Sequence, residues 1–307
     1  MKTVILIFLI ALAAYVFFIV LPAFVSFYFV FRRKKGRPVS REILKASYYE
    51  PYAEEMLESM EFIGGLERKE IRTRAADGTE LVADYVTQGS DSLVIMFHGY
   101  NVQPLLNYAF PGRLLYGAGY DLLLTDQRGH GRSGGRYTMM GAGEKTDVAD
   151  WIRWAKENTG AKKIFIYGIS MGATTVAMAS DMPELSGVSA IICDGGYSSV
   201  YDVMHCDMKK RHLPAKLMLP YLCFAAGLVL KIDMKESTCT HLQASGIPAV
   251  FLHGRGDKTV PYEQGRRGYE KCGSKKIFID SENANHTCTL MENEKAGHRL
   301  LEFLKEL

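Results

Sequence analysis

The chain has 307 residues, 48% of them hydrophobic and 23% charged, a balance that excludes a disordered or low-complexity protein. Its net charge of +3 averages two unlike parts: residues 1–41 carry seven basic side chains (Lys2, Arg32, Arg33, Lys34, Lys35, Arg37, Arg41) and no acidic one, leaving 30 basic against 34 acidic residues elsewhere. The body is therefore mildly acidic and lacks the clustered positive charge that phosphate neutralisation needs, which excludes nucleic acid as its partner.

From Thr3 to Phe31 run 29 residues without a charge, rich in Ile, Leu, Val, Phe and Ala. As a helix the run would measure roughly 43 Å, more than the ~30 Å of a bilayer's hydrocarbon core. It would span with tilt, unless Pro22 bends or ends it. A cleaved signal peptide has an apolar region of only ~7–15 residues followed by a small-residue cleavage site, and neither fits. Residues 1–31 are read as a transmembrane anchor with the bilayer as partner. The cluster Arg32-Arg33-Lys34-Lys35-Gly36-Arg37 follows it, and the positive-inside rule puts that side, with the catalytic body, in the cytoplasm. The six cysteines are scattered without metal-ligand spacing and read as free thiols.

Residues 32–65 read as a basic collar and an amphipathic lead-in helix, and 66–307 as one domain. Arg68–Arg74 and Glu80–Thr87 flank Asp77-Gly78, a hairpin signal. Short apolar runs then recur at Ser92–Phe97, Tyr120–Thr125, Lys163–Tyr167, Ala190–Cys193, Ala249–Leu252 and Lys276–Ile279, as strands buried on both faces should. Helical patterns lie between them at Leu105–Gly117, Glu144–Asn158, Met171–Ser180, Tyr262–Cys272 and Glu292–Lys305. The alternation predicts an α/β fold with a mostly parallel sheet and helices on both faces. Residues 198–245 interrupt it, and an insertion of this length is expected to be a structured cap.

Gly168-Ile169-Ser170-Met171-Gly172 follows one of these strands and precedes a helical run, the context of a nucleophile elbow. Ser170 needs a base to take its proton. Of eight histidines, His286 follows the last strand in a polar loop from which an imidazole can reach another strand's end. The acid that orients it should lie between the two in sequence. Asp257, after the strand Ala249–Leu252, fits, with Asp194 as its rival. His98-Gly99-Tyr100 ends the strand Ser92–Phe97, where a second oxyanion donor is needed, so the N–H groups of Tyr100 and Met171 form the expected pair. Gly129-His130-Gly131-Arg132-Ser133-Gly134 matches a dinucleotide-binding loop, but no helix opens there and no acidic residue closes a following strand.

Ser170, Asp257 and His286 in that order, with His98-Gly99-Tyr100 and Asp126-Gln127-Arg128-Gly129-His130-Gly131-Arg132-Ser133, resemble the α/β-hydrolase superfamily. The chain is similar to its membrane-anchored bacterial members and to serine aminopeptidase-like hydrolases. It departs from their lipase-type oxyanion loop in having Tyr100 and Asn101 after Gly99. The resemblance implies a sheet of about eight strands, a cap after the sixth, and cofactor-free, metal-free hydrolysis of an ester, thioester or amide through an acyl-enzyme. It implies a structural part for the Asp126–Ser133 loop. Transfer of the acyl group to another acceptor, or a catalytically silent binding protein on the same fold, are the alternatives.

Overall fold

The computed structural model describes residues 1–34, 36 and 39–307, so Lys35 and Arg37 of the basic collar lie outside the described residues. Helices α1 (Lys2–Tyr15) and α2 (Leu21–Phe31) are joined by a wide π-helical turn, Val16–Val20. Together they make one continuous helix of 30 residues, long and apolar enough to cross a membrane by length and composition. Pro22 does not end it. Proline has no N–H to donate to the carbonyl four residues back and its ring crowds that carbonyl. The widened turn immediately before it absorbs the mismatch.

Short α3 (Arg41–Lys45) and α4 (Ala53–Gly65) lead into the sheet. Its strands are β1 (Lys69–Arg74), β2 (Glu80–Val86), β3 (Ser92–Phe97), β4 (Asp121–Asp126), β5 (Lys163–Ile169), β6 (Ala190–Asp194), β7 (Ala249–Gly254) and β8 (Lys276–Ser281), in the order β1-β2-β4-β3-β5-β6-β7-β8. β2 runs antiparallel to both β1 and β4, and the remaining pairs are parallel. The hairpin at Asp77-Gly78 and the mostly parallel sheet are as the pattern predicts. Alternation along each strand feeds two cores. Leu93, Ile95 and Phe97 of β3 pack on α6 (Lys145–Asn158) and α7 (Met171–Ala179), through Trp151, Ile152 and Val176. Val94 and Met96 face the other way, towards Tyr108 and Leu115 of α5 (Pro104–Gly117).

Between β6 and β7 lie α8 (Val200–Lys210), α9 (Ala215–Val229) and α10 (Thr238–Ala244), so the long insertion is helical and packed. The chain then runs through α11 (Tyr262–Lys271), α12 (Thr289–Glu292) and α13 (Glu294–Lys305), whose Leu300 and Phe303 complete the second core.

Two N-terminal segments also pack on the body. First, α1 buries no residue, but Ala23, Phe27 and Phe31 of α2, spaced one helical turn apart, are buried with Met218, Leu219 and Leu222 of α9. The apolar run is thus exposed over its first two thirds and docked over its last third. Beside it, α9 leaves Leu217, Phe224 and Leu228 exposed along one stripe. Second, Leu44, Tyr49, Ala53 and Met56 pack against Leu106, Ala109, Ala284 and Cys288. The lead-in segment therefore braces the loop that carries His286.

The collar also serves the fold. The Arg33 guanidinium donates to the carbonyls of Gly131 at 2.6 Å and Ser133 at 2.7 Å, and Thr138 N–H donates to the Phe31 carbonyl at 2.8 Å. Arg33 thus ties the end of the apolar helix to the Gly131–Ser133 loop.

Candidate active site

Ser170 sits between β5 and α7 with φ 55° and ψ −113°, a backbone conformation that non-glycine residues rarely adopt. The glycines on either side allow the tight turn. A Cβ on Gly168 would overlap the Gly172 carbonyl, and one on Gly172 would overlap the carbonyls of Phe97 and His98. Ser170 N–H is tied to the Asp194 carbonyl at 2.7 Å. The strained turn lifts the hydroxyl out at the carboxyl ends of the strands, where crevices form in open α/β sheets.

Three strand ends meet there. His286, in the loop after β8, has its Nε2 2.8 Å from Ser170 Oγ and its Nδ1 2.6 Å from Asp257 Oδ2. Asp257, after β7, accepts the N–H groups of Thr259 at 2.7 Å and Val260 at 2.8 Å on its other oxygen. Burial opposes its charge, but the imidazoles of His286 and His253 outweigh burial and hold its carboxyl well below the usual range. His253, at the end of β7, is the second imidazole on this carboxylate, with Nε2 3.4 Å away. Its position at a strand end was the only sequence signal for it. Tyr48 of the lead-in segment sets its ring edge-on to the His286 ring, centroids 6.0 Å apart, and Tyr49 hydrogen-bonds Thr287 at 2.9 Å.

The rival acid is elsewhere. Asp194 is fully buried, accepts the Tyr167 hydroxyl at 3.0 Å on one oxygen, and has no partner on the other among the described residues. Burial pushes its pKa up to about 6. A carboxyl raised in the fold above its unfolded value of ~3.9 contributes stability that is fully present below that value and is lost as pH rises through 6. Asp194→Asn, which cannot ionise, should therefore gain about 3 kcal/mol relative to the parent between pH 4 and pH 7.5. Thermal unfolding of both chains across that range checks this as a gap in Tm that opens with pH.

The loop 98–101 is held by two buried, neutral histidines. His98 Nε2 accepts Gln127 N–H at 3.0 Å, which leaves Nδ1–H to donate to the Gly99 carbonyl at 2.7 Å. Burial, with the neighbouring His130, lowers His98 to about 3. His130 Nε2 accepts Asn101 N–H at 3.0 Å, and burial lowers its pKa also. The glycine-rich Asp126–Ser133 loop is thus a brace for the segment that carries Tyr100. Its Arg128 pairs with Asp147 and with Asp77, and its Arg132 with Asp126 and Asp84. Tyr100 N–H has no hydrogen-bond partner among the described residues. Met171, the first residue of α7, has an N–H with no partner inside that helix. A Cβ on Gly99 would lie 3.2 Å from Ser170 Cβ, so the two segments run side by side. The arrangement brings a hydroxyl, an imidazole and a carboxylate into one hydrogen-bonded line, with the Gly99 segment running beside the serine.

Ser170 opens on a cavity of about 530 Å³ between the cap and α2, within the ~300–1,000 Å³ usual for ligand pockets.

An eight-stranded sheet with a serine at a strained β5–α7 turn and a cap after β6 defines a hydrolase class, and the comparisons agree. Residues 92–218 match the model of the family described as alpha/beta hydrolase fold, to which the chain belongs. It is 26% identical over 218 residues to the uncharacterized protein YqkD of Bacillus subtilis, spanning 70% of this chain and 71% of YqkD. It is 31% identical over 160 residues to the uncharacterized protein YczH of the same organism, spanning 47% of this chain and 70% of YczH. Among solved structures, the Pyrococcus furiosus esterase Pf2001 superposes with a TM-score of 0.62 at 26% identity, covering 78% of this chain and 91% of the esterase.

Proposed function

We propose that this chain is a membrane-anchored serine hydrolase that cleaves an acyl ester, thioester or amide through an acyl-enzyme on Ser170. The observation that carries the reading is the unbroken line of hydrogen bonds from Ser170 Oγ through His286 to Asp257, at 2.8 and 2.6 Å. Its likeness to an esterase favours an ester. In this reading Ser170 Oγ attacks the acyl carbonyl as His286 Nε2 takes its proton, and the negative oxygen is held by Tyr100 and Met171 N–H. Asp257 keeps the imidazole's Nδ1–H directed at itself and stabilises the imidazolium. Collapse of the intermediate returns the proton to the leaving group. A water, deprotonated by His286, then releases the acid and frees Ser170.

The exposed α1 and the wide turn after it supply an apolar length of roughly 27 Å for residues 3–20, close to a hydrocarbon core. The basic residues that follow favour a cytoplasmic catalytic domain. A fluorophosphonate probe applied to the full chain in detergent should modify a single serine, mapped by peptide mass to Ser170. A folded chain that takes up no probe, or takes it elsewhere, overturns the reading.

A further inference from the structure

The apolar N-terminal helix does more than reach the bilayer. Its face 23/27/31 is buried against the cap, and the adjacent positions Val25, Ser26, Phe29 and Val30 line the same cavity as Ser170. These four form two i, i+4 pairs, so they make one continuous strip along α2. The opposite wall is α8, through Met204 and Met208, flexible side chains that adapt to an irregular apolar occupant. The strip is tied to the catalytic loop by one bond, since the Tyr100 hydroxyl donates to the Val30 carbonyl at 2.7 Å. Tyr100 therefore touches α2 with its side chain and offers its N–H beside Ser170. Val25 and Phe29 are 46% and 62% exposed, so part of the cavity's rim lies on the apolar surface of the helix, while Asp207, Arg211 and Thr259 form a polar part of the rim. The charged groups, Lys34 and the Asp207–Arg211 pair at 2.8 Å, also line the cavity, and Lys34 lies beyond the end of the apolar run.

We propose that the anchor helix is itself one wall of the acyl pocket, and that Ser26, Phe29 and Val30 set the preference of this site for long single-chain acyl esters entering from the leaflet. The proposal rests on the hydrolase reading. The chain of the substrate lies along α2 between the helix and Met204 and Met208, its ester at Ser170, its polar part towards Lys34. The stretch of wall made by Val25, Phe29, Val30, Met204 and Met208 is apolar, so each methylene placed against it adds roughly fourfold in kcat/KM.

The test compares p-nitrophenyl laurate with p-nitrophenyl butyrate on the full chain in detergent micelles. Ser26→Trp fills the cavity, and the laurate-to-butyrate ratio of kcat/KM is expected to fall at least tenfold. Phe18→Trp, on the same helix but outside the cavity, leaves the ratio as in the parent. A Ser26→Trp chain that still cleaves butyrate with an unchanged ratio overturns the wall while the hydrolase reading stands. A parent that cleaves neither ester and takes up no fluorophosphonate overturns both. Should Ser26→Trp fail to fold, the parent itself decides. A long-chain alkyl fluorophosphonate with a diazirine at the far end is attached to Ser170 and photolysed. Cross-links within residues 22–31 support the wall, and cross-links confined to other segments overturn it.

Discussion

Ser170→Gly is expected to abolish hydrolysis and yet to give a more stable protein than Ser170→Ala. Both variants lose the nucleophile, and loss of a triad serine costs on the order of 10⁶ in kcat. They differ in the backbone. At φ 55° and ψ −113° a side chain strains the turn by about 1–3 kcal/mol, and alanine keeps that strain where glycine releases it. Glycine also loosens the unfolded chain, which offsets roughly 0.5–1 kcal/mol. The balance favours glycine by about 1 kcal/mol, or ~1.5 °C in Tm for a chain of this size. At an ordinary position the same exchange has the opposite sign, so thermal unfolding of the two variants tests the strain directly. An alanine variant more stable than the glycine variant by about 0.5–1 kcal/mol, the difference at an ordinary position, would mean that the turn stores nothing.

Asp257→Asn is expected to lower kcat by about 10⁴ with little change in KM. Two N–H groups, from Thr259 and Val260, fix which amide atom goes where. The amide oxygen must accept them, so the NH₂ takes the place of the oxygen 2.6 Å from His286 Nδ1. Nδ1 must then accept, its proton moves to Nε2, and Nε2 can no longer take a proton from Ser170. The parent carboxylate, held well below the usual range by the two imidazoles that outweigh its burial, stays ionised through mildly acidic pH, so Asp257 itself adds no acid limb to the rate profile. Steady-state kinetics of Asp257→Asn beside Asp194→Asn separates the two acids. A large loss in the second and none in the first would move the orienting role to Asp194.

What could be read from the sequence was whatever local pattern determines. β3, β5 and β6 are buried on both faces, and their unbroken apolar runs stand out for that reason. The turn around Ser170 needs glycine at two fixed positions because carbonyls occupy the space of a side chain, and such a need leaves a mark. Chain order put Asp257 and His286 after the two following strands, and parallel pairing of β7 with β8 brings those ends together. Contacts between distant segments left no such mark. Nothing in Tyr48 or Tyr49 announces that they pack on the His286 loop, because an aromatic pair in a lead-in segment has the same composition whatever it covers. Nor does an anchor signal distinguish the residues that meet lipid from those that meet α9. Both partners of an apolar contact look alike in sequence, and only the fold says which face is taken. The Asp126–Ser133 loop read as structural, but its task, holding Asn101 through His130, depends on the spatial neighbourhood of two loops.

The bonds of Arg33 to the Gly131 and Ser133 carbonyls, and of Thr138 to the Phe31 carbonyl, join the end of the long helix to the catalytic body without a swivel. With the helix seated in a bilayer, Ser170 is then fixed at one altitude above it. An enzyme so mounted works in two dimensions. On the proposed reading of substrate and anchor, its rate answers to the mole fraction of substrate in the leaflet, and inert lipid acts on it as a diluent even when the amount of substrate in the sample is unchanged.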